Sequence, residues 1–145
     1  MSKSQNNTVT ASYNFVSIFQ SLEAKKPPAK HPNELPDQLK VAEFISEFLA
    51  NGWSGKLKGK NIPSDNVPTD DPQWLEKVSY ARKHNLAHYH IGIPYYCKSE
   101  NGYYTSEYII HYQVVSDSHI KLIDLDCHPP FELPKESYMD GMVSL

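Results

Sequence analysis

Amphipathic helical stretches in the first half of the chain and a three-strand meander in the second predict an α+β fold for these 145 residues. The meander occupies LAHYHIGI (86–93), EYIIHYQVV (107–115) and HIKLIDLD (119–126), followed at once by Cys127, His128, Pro129 and Pro130. In the first of these strands Ala87, Tyr89, Ile91 and Ile93 share a face, and Leu86, His88, His90 and Gly92 share the other. In the second, Tyr108, Ile110, Tyr112 and Val114 oppose Glu107, Ile109, His111, Gln113 and Val115. The pattern predicts one packed face, with His88, His90 and His111 on the other among few apolar neighbours.

The elements follow in order. Residues 1–12 are polar and are expected to lack structure. Phe15, Ile18, Phe19 and Leu22 fall at helical spacing, which predicts a short helix over 13–24. Four prolines in KKPPAKHPNELP (25–36) forbid a continuous helix and predict an extended linker. Asp37 can cap a second helix, DQLKVAEFISEFLAN, with Leu39, Ala42, Phe44, Ile45, Phe48 and Leu49 on its apolar face and Asn51-Gly52 as its stop. Residues 53–72 are rich in Gly, Pro, Asn and Asp and read as a long loop. Residues 73–83 read either as a short helix presenting Trp74, Leu75 and Val78 or as the lead-in to the first strand. Asn101-Gly102 between two tyrosine pairs predicts a long hairpin, and Ser116-Asp117-Ser118 a tight turn. Beyond His128 the prolines and the acidic tail show no periodicity.

The length suits one domain with one core, here bounded as an N-terminal extension (1–36), a central domain (37–130) and an acidic tail (131–145). Two cysteines suggest no disulfide framework, nothing at the N-terminus resembles a signal peptide, and no apolar run approaches a membrane span. A cytoplasmic protein with no membrane partner is expected. The net charge of −3 hides an uneven distribution. Residues 51–98 hold seven basic and four acidic side chains, a local +3, whereas residues 99–145 hold two basic and eight acidic, a local −6.

Three features carry possible chemistry. Lys56, Lys58 and Lys60 recur at every second position, so an extended segment would set them along one side to meet phosphates; the alternative is a solvated loop. Arg82, the one arginine, stands beside Lys83 just before the first histidine strand, as a bidentate phosphate contact or an exposed helix-end cation. His88 and His90 share a strand face to which His111 and Glu107 on the neighbouring strand can add. Such a set suits a zinc or iron site, or metal-free acid–base work on a phosphodiester; any single histidine can instead be structural. A glycine-rich phosphate loop, a zincin helix, a Cys-x-x-Cys pair and a Gly-x-Ser-x-Gly elbow are all missing from the sequence, and Cys97 and Cys127 read as ordinary thiols.

The order FISEFLANG (44–52), a Lys/Gly loop, Trp74, LAHYHIGI, a long hairpin and SEYIIHYQVVSDSHIKLIDLDCHPP resembles bacterial toxins of the RelE/ParE superfamily, nearest to the YafO-type branch with its comparable Ala-His-x-His strand. The resemblance spans roughly residues 40–130 and rests on motif order. It implies N-terminal helices packed on a twisted antiparallel sheet, and a type II toxin neutralised by a cognate antitoxin. It also implies ribosome-dependent endoribonuclease activity on mRNA, without metal or other cofactor and without DNA binding by the toxin alone. In that chemistry a base takes the proton of a ribose 2′-hydroxyl, which attacks the adjacent phosphate while an acid protonates the leaving 5′-oxygen.

Carried over by position, His128 matches the place just past the last strand where relatives hold a catalytic imidazole. His88 and His90 match the histidine pair, and Arg82 and Lys83 match basic groups ahead of the first matched strand. Lys56, Lys58 and Lys60 match the RNA-binding loop, and His111 joins the catalytic set on strand parity alone. The chain departs from such toxins in its net acidity and its single arginine. Two alternatives stand beside this reading: a toxin of the same fold that binds a protein target such as a topoisomerase, and a small His-ligated metalloprotein.

Overall fold

The computed structural model describes residues 6–22, 35–127 and 132–145, so His128 and most of the proline-rich stretch lie outside the described residues. The protein is α+β. Among the described residues, strand β1 (Thr8–Ala11) leads into helix α1 (Tyr13–Ser21), and α2 covers Asp37–Asn51. Strand β2 (Asn61–Pro63), α3 (Trp74–Lys83) and β3 (Leu86–His90) follow. A small hairpin of β4 (Cys97–Lys98) and β5 (Tyr104–Thr105) precedes β6 (Tyr108–Ser116), β7 (His119–Cys127) and β8 (Val143–Ser144). The six-stranded sheet runs β2-β3-β6-β7-β1-β8, and every pair is antiparallel except β1 with β7.

Strand β1 corrects, for Thr8–Ala11, the expectation that residues 1–12 lack structure; residues 1–5 lie outside the described residues. Val9 and Ala11 are fully buried, and Leu145 N–H donates to Val9 O at 3.0 Å beside the pairing of β1 with β8. Ser12 then starts α1 as its N-cap, its hydroxyl accepting from Phe15 N–H at 3.2 Å. The acidic tail likewise departs from the expected irregular segment, since Glu136–Met139 form a helical turn and β8 pairs with β1.

Helix α2 ends where expected, with Gly52 at φ +60° and its N–H on Phe48 O. Its start differs: Asp37 lies inside the first turn rather than capping it, where its charge still suits the helix N-terminus. Its buried face is also rotated. Val41, Phe44 and Phe48 face the sheet, while Leu39 and Leu49 are exposed. Phe44 stacks on Tyr89 with ring centres 4.7 Å apart, and Phe15, Ile110, Tyr112 and Leu122 complete this core.

The opposite face, which carries the histidines, is covered rather than sparsely packed. Helix α3, the helical form of the two readings of 73–83, lays Ala81 against Leu86, Ile123 and Met139, with Leu133 and Tyr138 at the margin. Tyr80 Oη donates to Pro134 O at 2.7 Å, and the Lys121 ammonium donates to Met139 O. No helix among the described residues is long and apolar enough to cross a membrane.

Candidate functional site

Register brings the histidines together. Ile62, His88, His111 and Asp124 are successive cross-strand partners on β2, β3, β6 and β7 and therefore share a face. Asp124 reaches that face through a β-bulge. His111 pairs with Asp124 and Tyr112 with Leu122, so Ile123 is the extra residue, and alternation along β7 shifts by one. The His88 ring lies 6.2 Å from His111 and 6.0 Å from His90, centre to centre. All three histidines are enclosed, with 4, 5 and 1 % exposure for His88, His90 and His111.

Buried partners fix the rings. The fully buried Ser64 hydroxyl lies 2.9 Å from His88 Nδ1. His90 Nδ1 lies 3.1 Å from Ser106 N–H and 2.9 Å from Ser106 O. One ring nitrogen either accepts or donates, so Ser106 can satisfy whichever tautomer is present. Burial pushes the Asp124 carboxyl up to about 6, against the opposing backbone N–H of Leu125. Nearby Asp126 raises it further, and Asn14, donating to Oδ1 at 3.3 Å, lowers it. Among the described residues no three His, Cys, Asp or Glu side chains are grouped so as to hold a metal ion.

The lysine loop is sewn to the His90 end of β3. His90 N–H donates to Lys60 O at 3.0 Å, Lys60 N–H donates to Tyr104 O at 2.8 Å, and Gly59 N–H donates to Tyr89 Oη at 3.0 Å. A Cβ on Gly59 would stand 2.0 Å from His90 O, so the loop passes this close only because the residue is glycine. Tyr96 Oη donates to His90 O at 2.8 Å and completes the seam. Lys58 Nζ lies 4.9 Å from the Tyr104 ring centre and 5.0 Å from that of Tyr96. Lys60 Nζ lies 5.0 Å from the Tyr103 ring centre. Lys56 stands slightly apart, its backbone N–H donating to Glu47 Oε2 at 2.9 Å.

Arg82 and Lys83 do not join this group. They end α3 beside the Leu86 end of β3, about 13 Å along the strand from His90. The Arg82 guanidinium there pairs with Asp65 at 3.0 Å. Sequence reasoning missed Ser64, Ser106 and Asp124 around the histidines and Tyr96, Tyr103 and Tyr104 around the lysines. The tyrosine pairs flanking Asn101-Gly102 were the available signal, read only as hairpin arms. Comparison of the chain with protein-family models, with curated proteins and with solved structures finds no match.

Proposed function

We propose that the protein is an mRNA endoribonuclease acting on the ribosome, a toxin of RelE/ParE type restrained by a cognate antitoxin. The observation that carries this reading is the seam between the two sequence motifs: the Lys58–Lys60 segment lies hydrogen-bonded along the end of the histidine strand. Cations so placed neutralise a phosphodiester and favour the extra charge that develops as the 2′-oxygen adds to phosphorus. His128, next in sequence after β7, is assigned the proton transfer by the toxin resemblance. Burial to 5 % exposure or less suits His88, His90 and His111 to shaping the sheet beneath the bound chain rather than touching it.

Induction in a bacterial host, with primer extension on a reporter mRNA, tests the reading. Growth arrest with in-frame cleavage that disappears in His128→Ala and in Lys58→Gln/Lys60→Gln is the expected outcome. Arrest without cleavage moves the assignment to a toxin that binds a protein target, a second reading that the enclosure of three histidines favours.

A further inference from the structure

We propose that the β4–β5 hairpin and the lysine loop form a base-stacking platform for single-stranded RNA, with Tyr103 as its outermost ring and Lys58, Lys60 and Lys98 as its phosphate contacts. The inference rests on the nuclease reading for the identity of the ligand, and on the hairpin's own geometry for the site. Three rings, Tyr96, Tyr103 and Tyr104, gather around three ammonium groups. Lys58 lies between Tyr96 and Tyr104, Lys60 over Tyr103, and Lys98 6.0 Å from the centre of Tyr104. Tyr96 and Tyr104 meet edge to face with ring centres 6.1 Å apart, a favourable contact that holds the two rings together beside the lysines. Tyr103 is 53 % exposed, so its ring is open to a stacking partner.

The charge balance fits a polyanion. Lys58, Lys60 and Lys98 share residues 58–60 and 97–105 with a single acidic residue, Glu100, while Lys56 lies beside Glu47. Among the described residues none of Lys58, Lys60 and Lys98 is held in an ion pair. Cations tracking a backbone beside aromatic faces is the arrangement by which single-stranded nucleic acid is bound without sequence readout. An acidic peptide would use the lysines and have no need of the rings. The platform is also rigidly referenced to β3, because Lys60 N–H is bonded to Tyr104 O on one side and Lys60 O to His90 N–H on the other. A base stacked on Tyr103 would place its phosphate within reach of Lys60 and direct the chain toward the His90 end of the strand.

The test separates binding from cleavage. A fluorescently labelled 2′-O-methyl oligouridine of about ten nucleotides, which has no free 2′-hydroxyl to attack, is titrated with the full-length protein at several salt concentrations. Tyr103→Leu is expected to weaken binding about tenfold, within the range that loss of one stacked base produces, and Tyr103→Phe to leave it unchanged. Lys60→Gln is expected to lower the slope of log affinity against log salt by about 0.7. Binding by Tyr103→Leu equal to wild type overturns the platform, as does absence of wild-type binding or displacement by polyglutamate as effective as by RNA. Cleavage of mRNA in a translating extract is scored on the same proteins. Tyrosine-dependent binding without cleavage supports the platform while removing the nuclease reading; cleavage that survives Tyr103→Leu with unchanged binding removes the platform alone.

Discussion

Asp124→Asn should stabilise the protein at neutral pH and abolish one component of its pH dependence. The carboxyl is 8 % exposed, and its pKa is raised from 3.8 to about 6, first by burial. Two pH units correspond to about 3 kcal/mol of preference for the protonated form in the folded state. From about pH 4 to about pH 6 the folded protein therefore binds more protons at this site than the unfolded chain, and stability falls as pH rises. Above pH 6 the loss is complete; below pH 4 both states are protonated and it vanishes. Asparagine keeps the shape and still accepts from Asn14 and the Leu125 N–H, yet never charges. Urea midpoints measured across this range should show the two proteins converging near pH 4 and the variant leading by up to about 3 kcal/mol at pH 7. Other titrating groups are common to both, so the difference isolates Asp124. A variant less stable than wild type at pH 7 would refute the reasoning. It would mean that the hydrogen bonds from Leu125 N–H and Asn14 stabilise the carboxylate more than burial penalises it.

The remaining predictions concern the packing that positions the site. Gly59→Ala must push the loop off His90 O, and should cost about 2 kcal/mol and lower RNA affinity together; a denaturation midpoint equal to wild type would contradict the close approach. Phe44→Ala removes the ring stacked on Tyr89 and should cost about 3 to 5 kcal/mol by chemical unfolding. Val9→Ala should cost about 2 kcal/mol although it lies in a stretch whose composition reads as disordered, and a neutral result would remove β1 from the sheet. Ser12→Ala should cost about 1 kcal/mol through loss of the cap on α1, read by the same unfolding assay.

What the sequence made legible was set by local pattern. Strict alternation in residues 86–90 and 108–116 and the 3.6-residue spacing in 37–51 placed β3, β6 and α2 within a few residues, and the Asn101-Gly102 turn marked its hairpin. What escaped depends on distant partners. Strand β1 is four residues, TVTA, and is a strand because β7 and β8 flank it from more than 100 residues away. Strand β2 is three residues inside a loop-like composition, held by register with β3. The buried face of α2 differs from its apolar stripe because Leu39 and Leu49 extend that stripe on the outer side, while Val41 turns inward. Alternation sets His88, His90 and His111 on one face, but the partners that fix two of the rings, Ser64 and Ser106, lie on segments that no window along the strands contains. The bulge at Ile123 is a register property of two strands together, so Asp124 could not be assigned to the histidine face from β7 alone.

The most direct test of the nuclease reading is the chemistry of the cut ends in a ribosome-programmed reaction with purified protein. Attack by the 2′-hydroxyl predicts an upstream fragment ending in a 2′,3′-cyclic phosphate and a downstream fragment beginning with a 5′-hydroxyl, both absent with His128→Ala. Intact mRNA, or downstream fragments carrying a 5′-phosphate, would contradict the account.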